Sequence, residues 1–290
     1  DKVAVFVPQV TERLGEDQER GCFAQRHEQY PPLGVDDAGG SADAGWRREG
    51  PDTQSERLQP VILKIGGVDV TAFFDAIAAK EIPGPRILTA YRGLSQTGRV
   101  KKVTWALDIT PLRQEVDGVD DCVRVVREQI GLGADLIKVS ITGRVYAPQS
   151  DPGQTAYTSE EIQAIVKEAH RMGRRVAAHA QATQGIKNGI LGGVDSIEHG
   201  IYLDEEACQW MRERNTVLVP TLAYFYRIST LGEGLGSRAY AVRKAKEVVE
   251  AHMKSFALAM RMGITIGMGT DFEGSALFPH GENGAEFDLM

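Results

Sequence analysis

From residue 61 onward, short runs of aliphatic and β-branched residues alternate with longer stretches whose apolar positions recur at helical spacing. Val61–Ile65 opens the series and leads into a helix predicted near Val70–Lys80, and Arg86–Tyr91 follows a Pro-Gly-Pro turn. A helix over Asp120–Gly131, with Val123, Val126 and Ile130 on one face, runs into the strand Leu136–Ile141. The clearest helix starts where Thr158 and Glu161 make a capping box. Ile162, Ile165, Val166 and Ala169 then repeat at i, i+3, i+4 and i+7, and Gly173 ends it. It delivers the strand Val176–His179. Ser196–His199 comes next, then a helix from the N-cap candidate Asp204, and a strand at Val217–Leu222. A long helix over Arg238–Met262, closed by Gly263, leads to the strand Ile264–Met268.

About seven short apolar strands alternating with helices are what a parallel sheet buried on both faces requires. Such alternation means a doubly wound sheet or a (β/α)₈ barrel. The only glycine cluster after the early strand, Gly66-Gly67, is not the G-x-G-x-x-G of a doubly wound nucleotide-binding fold. An α/β, TIM-like barrel over residues 61–290 is therefore expected.

Residues 1–60 have a different texture. Val3–Val10 has the pattern of one short strand, but Cys22–Arg57 is polar, rich in Gly, Asp, Arg and Gln, and has no period of 2 or 3.6. Such a stretch buries too little apolar surface to offset its ordering entropy, so an irregular segment, mostly loop or disorder, is expected there.

Composition narrows the function only by exclusion. Hydrophobic residues make up 42% and charged residues 25%, ordinary for a soluble globular chain. A net charge of −7 with no basic run gives no reason to expect a nucleic-acid partner. Cys22, Cys122 and Cys208 are odd in number and widely spaced, against a disulfide framework or a thiolate metal site. No apolar run approaches the roughly 18 residues of a membrane span, and the N-terminal residues lack the apolar core of a signal peptide. A soluble protein is expected, with the cytoplasm favoured and no membrane partner; homo-oligomerisation is left open.

Candidate chemistry sits at the strand ends, which face a common mouth in barrels. Lys138 lies inside the run LIKV; His179 ends RRVAAHA, His199 ends VDSIEH and Asp271 ends ITIGMGTD. Taken singly, each has a plain structural reading. A strand-end histidine is commonly a hydrogen-bonded core residue, and a strand-end aspartate commonly caps the next helix. A buried lysine is usually ion-paired, here with Glu198 or Asp271. Their coincidence at successive strand ends points instead to a metal site or its remnant. His170 and His252 fall within helices as surface or packing residues, while His280, in FPHG, is close enough in sequence to reach the mouth.

At this level the chain resembles the amidohydrolase superfamily, in its imidazolonepropionase-like and Xaa-Pro dipeptidase-like branch. The resemblance runs from about Gly66 to Met290 and rests on IPGPRILTA, GADLIKV, the block PGQTAYTSEEIQAIVKEAHRMGRRVAAHA, GVDSIEHG and MGTDFEGSALFPHGENGAEFDLM. It implies a (β/α)₈ barrel with a small β-sandwich built from both chain ends, and zinc as cofactor, one or two ions, with other divalent metals as alternatives. It further implies that Lys138 is carboxylated and bridges the metals, that His179 and His199 bind the second metal, and that Asp271 binds the first and shuttles the proton. The implied reaction is hydrolysis of an amide or dipeptide C–N bond in a small substrate by metal-activated water, with His280 as a candidate substrate contact.

Two features depart from the family's pattern. The chain contains no His-x-His, the motif that ends the family's first strand and supplies two ligands of the first metal. After Arg86–Tyr91 the family often has a T-G-G-H-type loop whose histidine touches substrate; here Gln96-Thr97-Gly98 runs into Arg99-Val100-Lys101-Lys102. The first strand and the terminal sandwich are thus expected to be missing or degraded, with residues 1–60 not native to this barrel. Two readings follow, a hydrolase with a reduced metal site, and a catalytically impaired barrel acting as a binding or structural protein.

Overall fold

The alternation in the sequence becomes a layer of parallel strands covered by helices. The computed structural model describes residues 76–98 apart from 78 and 82, residues 113–290 apart from 149, and the strands Val5–Phe6 and Val61–Ile65. The predicted irregular segment and most of the helix expected near Val70–Lys80 lie outside the described residues.

The strands are β1 (Val5–Phe6), β2 (Val61–Ile65), β3 (Arg86–Tyr91), β4 (Gly93–Ser95), β5 (Arg113–Glu115), β6 (Leu136–Ser140), β7 (Arg175–Ala180), β8 (Ser196–His199), β9 (Val217–Val219) and β10 (Met268–Gly269). The helices are α1 (Val119–Gly131), α2 (Ser159–Arg171), α3 (Thr183–Gly192), α4 (Glu205–Arg214), α5 (Leu222–Leu231) and α6 (Ala239–Arg261), followed by a 3₁₀ helix, His280–Glu286. Six parallel strands run in the order β5-β4-β6-β7-β8-β9, and a parallel bridge from Leu218 to Ile266 extends the layer. β2 and β3 pair in parallel, and β1 pairs antiparallel with β10. This is the α/β architecture of a TIM-like barrel.

The local chemistry of the elements is what their sequences require. Thr158 accepts from the Glu161 amide while the Glu161 carboxylate takes the Thr158 amide, so the predicted capping box is formed. Asp204 caps α4 by accepting from the Ala207 amide at 2.8 Å. Gly173 and Gly263 take left-handed φ of 69° just past α2 and α6, as helix-ending glycines do. The outward side chains Ile137 and Val139 of β6 join Val125 and Val126 of α1 and Ile162, Ile165 and Val166 of α2 in one buried core. Fully burying an aliphatic side chain of this kind contributes about 1.5–3 kcal/mol, so this interface carries much of the fold.

One strand is shorter than its apolar run suggests. β9 stops at Val219, not Leu222, because Pro220 follows and Thr221 adopts a left-handed φ of 53° that turns the chain into α5. α3 was not foreseen either; its glycines argue against a helix on propensity. They are there for close packing, since a Cβ at Gly189 would meet Ile141 Cδ1 at 2.6 Å and one at Gly192 would meet Ile162 Cγ2 at 2.5 Å.

Candidate metal and catalytic site

Strand register decides which side chains meet. Residues paired across parallel strands share a face, and the pairs Ser140–His179, His179–Glu198 and Glu198–Val219 run across β6 to β9. Lys138 and Ser140, His179, and Glu198 therefore face the same side. One step toward the strand N-terminal ends, the same face carries Leu136 on β6 and Ala177 on β7, which pack with Ala90, Leu88, Val217 and Val219, the last in register with Glu198. On β6 and β7 the inward stripe thus changes from apolar to ionisable within a single pleat.

Lys138 is 2% exposed and its amine touches the carboxylate of Glu198, which is wholly buried. Beyond that contact, neither group has a further hydrogen bond among the described residues. Burial holds the Lys138 amine well below the usual lysine range; Asp271 opposes this, while Arg113 and Arg144 add to it. Glu198 is one of the two partners expected for a buried lysine here, and alternation in SIEH places it, not His199, on the inner face.

His199 reaches the mouth by breaking that alternation, at a left-handed φ of 71°. Its ring meets His179 edge-on, with centroids 4.6 Å apart. Each imidazole has one nitrogen engaged: His179 Nε2 lies 2.9 Å from the Gly143 carbonyl oxygen, and His199 Nδ1 lies 2.7 Å from the Thr221 hydroxyl. His179 Nδ1 and His199 Nε2 remain for a ligand. Residue 143 has to be glycine, since a Cβ there would collide with the Asp151 backbone. Burial depresses both imidazoles well below the ordinary histidine range, aided by Arg144 at His179 and by His179 at His199, so both are neutral.

Asp271 follows β10 at a left-handed φ of 59° and is 8% exposed. Burial pushes its carboxyl up to about 7, against the pull of Lys138 and Arg113. Arg113 donates to the Ser140 hydroxyl at 2.8 Å, and Arg144 donates to the same oxygen. The two guanidiniums thus meet beside Lys138 and Asp271, and burial lowers both, Arg113 to about 10. Tyr91, His199, Thr221 and Asp271, four of the six non-glycine residues with positive φ among the described residues, lie at strand ends. Backbone strain of that kind gathers at functional sites.

His280 begins the 3₁₀ helix, is exposed, and lies with its ring against Gly274. The described residues show no ring contact or hydrogen bond from its side chain to the mouth residues. His170 pairs with Asp195 at 2.8 Å on the surface. His252 is 1% exposed and hydrogen-bonds the His199 carbonyl at 2.8 Å, so it packs as expected and also holds the strand end. Arg113, Arg144, Ser140 and Thr221 were not singled out from sequence as members of the site. The alternation of LIKVS, which puts Ser140 beside Lys138, was the available signal for one of them.

Among the described residues, no three His, Cys, Asp or Glu side chains gather closely enough to hold a metal ion as they stand. Lys138 and Glu198, buried and with no hydrogen-bond partner beyond each other among those residues, nevertheless stand beside two neutral imidazoles, each held by an outer partner as metal-ligating histidines are. That donor set fits a cation at the mouth.

The model of the Amidohydrolase family matches residues 62–287, and the chain belongs to that family. Over 156 residues it is 36% identical to ochratoxinase of Aspergillus niger, a match covering 53% of this chain and 32% of that protein. A crystal structure of a Xaa-Pro dipeptidase with methionine bound in its active site matches with a TM-score of 0.70 at 30% identity, over 79% of this chain and 58% of that one. A prolidase complexed with N-methylphosphonate-L-proline matches at 0.68 and 29%, with the same coverage of 79% and 58%. The chain thus spans only part of the length of each of these relatives.

Proposed function

We propose that this chain carries the catalytic barrel of a metal-assisted hydrolase of amide C–N bonds in small substrates such as dipeptides or N-acyl amino acids. The observation that carries the reading is the pair of edge-to-face imidazoles beside buried Lys138, each fixed through one nitrogen. Family membership and the names of the relatives, an ochratoxinase, a Xaa-Pro dipeptidase and a prolidase, support it.

His179 Nδ1, His199 Nε2 and Lys138 would hold the ion, zinc being expected. Bound there, a divalent ion supplies the Lewis acidity that makes water nucleophilic near neutral pH. Carboxylation of Lys138 would turn a buried cation into an anionic donor, and bound positive charge would offset its repulsion from Glu198. Asp271, whose carboxyl burial pushes up to about 7, would accept the proton of the attacking water and deliver it to the leaving amine. Arg113 and Arg144 place positive charge at the mouth, where it would favour negative charge building on the substrate carbonyl oxygen.

The test is a hydrolysis screen over dipeptides and N-acyl amino acids, run with measured zinc content. Turnover that depends on bound zinc is expected. The impaired-barrel reading draws on the missing three-carboxylate-or-imidazole cluster among the described residues; protein that binds no zinc and turns over none of the panel would establish it instead.

A further inference from the structure

Helix α5 begins in an unusual way. Thr221 stands at its N-cap, where a threonine hydroxyl ordinarily accepts an amide proton from the first turn. Here Thr221 makes no cap hydrogen bond and sits at φ 53°, ψ 44°. Its hydroxyl is turned to His199 Nδ1 at 2.7 Å. The first-turn amides of α5 are satisfied from elsewhere: Glu286, wholly buried, accepts from the Leu222 amide at 2.7 Å and from the Ala223 amide at 2.8 Å. A carboxylate from the C-terminal 3₁₀ helix has taken over the work of the local cap. Burial pushes the Glu286 carboxyl up to about 7 against the pull of the two amides, which favour its anion as a helix N-terminus does.

We propose that Glu286 is a positioning residue for His199: by capping α5 it releases the Thr221 hydroxyl to accept Nδ1–H and so presents Nε2 as the lone-pair nitrogen. The proposal rests on the reading of His199 as a metal ligand for its consequence in catalysis, but the relay itself is a property of the metal-free protein. Without the Glu286 carboxylate, two amides at the start of α5 lose their acceptor. Thr221, at the N-cap, can turn its hydroxyl back to cap its own helix, which would leave His199 Nδ1 without a partner. Residues that orient a metal-ligating histidine from behind are worth about 10–100-fold in metal affinity.

The relay is tested with Glu286→Gln, Thr221→Val and the double variant in the full chain. The first readout is the ¹⁵N shift pattern of the His199 imidazole in metal-free protein, which distinguishes the Nδ1–H from the Nε2–H tautomer. Wild type is expected to show Nδ1–H alone, and both single variants a mixture. The second is zinc affinity by competition with a chromophoric chelator, expected to fall about 10–100-fold in each single variant and no further in the double one. Circular dichroism checks that the variants are folded. Thr221→Val leaves the Glu286 cap in place and carries the tautomer test should Glu286→Gln not fold. An unchanged His199 tautomer in either folded single variant would overturn the proposal, as would additive zinc losses in the double variant, which mark independent structural roles. Wild type that holds the Nδ1–H tautomer yet binds no zinc would overturn the metal-site reading and leave the relay standing.

Discussion

The bottom and the mouth of this sheet are built from the same strands, one pleat apart, and obey opposite rules. At the bottom, Leu136, Ala177 and Ala90 fill the interior with aliphatic groups that ask for no partners. At the mouth, Lys138, Glu198, His179, Arg113, Arg144 and Asp271 crowd ionisable groups into a buried space, with Lys138 and Glu198 left, among the described residues, with no hydrogen-bond partner beyond each other. Burying ionisable groups costs stability that apolar side chains of similar volume would not, so the mouth puts function ahead of stability. The helices supply the stability that the mouth forgoes.

The contrast can be broken most severely at the mouth. His179→Ala removes a proposed ligand and should reduce zinc-dependent hydrolysis to background, whereas His170→Ala, which alters only a surface pair with Asp195, should leave it unchanged. Steady-state rates on the best substrate from the screen decide this.

Stability should separate the two regions differently. Lys138→Met leaves Glu198 buried and uncompensated and should cost about 3–5 kcal/mol. Lys138→Met combined with Glu198→Leu replaces the pair by apolar volume and should come out neutral or more stable by about 1–4 kcal/mol, although inactive. At the bottom, Leu136→Ala only opens a cavity and should cost about 2–5 kcal/mol, with no second substitution beside it that restores the loss. Urea denaturation of the metal-free proteins measures all three. A double variant less stable than Lys138→Met alone would mean that the mouth is not a site of forgone stability.

A smaller effect depends on pH. Burial holds the His252 imidazole at about 4 instead of 6.5, so the folded protein stays neutral there while the unfolded chain takes up a proton. The stability tied to its neutral form is therefore full above pH 6.5 and is lost as pH falls from 6.5 toward 4, by an amount on the order of 3 kcal/mol. His252→Gln, which keeps a donor for the His199 carbonyl, should flatten that part of the profile; equal slopes in the two proteins would refute the assignment. Smallest is Thr158→Ala, which removes the capping box of α2 far from the mouth and should cost about 1 kcal/mol without touching zinc affinity.

Much of the fold was legible because periodicity and capping are local. Val61–Ile65, Arg86–Tyr91 and Ser196–His199 form strands with the bounds read from the sequence, and α2 begins and ends at its predicted signals. α5 was not legible: LAYFYRISTL is apolar on too many sides to show a stripe, and its cap is Glu286, distant in sequence. In the site, Lys138, His179, His199 and Asp271 stood out as residue types at strand ends. Thr221 and the two arginines did not, since their meaning lies in which hydroxyl or charge they meet across the barrel. Glu198 could have been placed at the mouth by counting alternation from Lys138 through the strand register, which sequence alone does not supply.

The central claim is that the mouth holds a metal through Lys138, His179 and His199, and zinc stoichiometry tests it most directly. After zinc loading and exhaustive desalting, elemental analysis should find about one zinc per wild-type chain, as expected of a site with three protein ligands and an open position, and none in His179→Ala. Equal zinc in the two proteins, or none in either, would contradict the account.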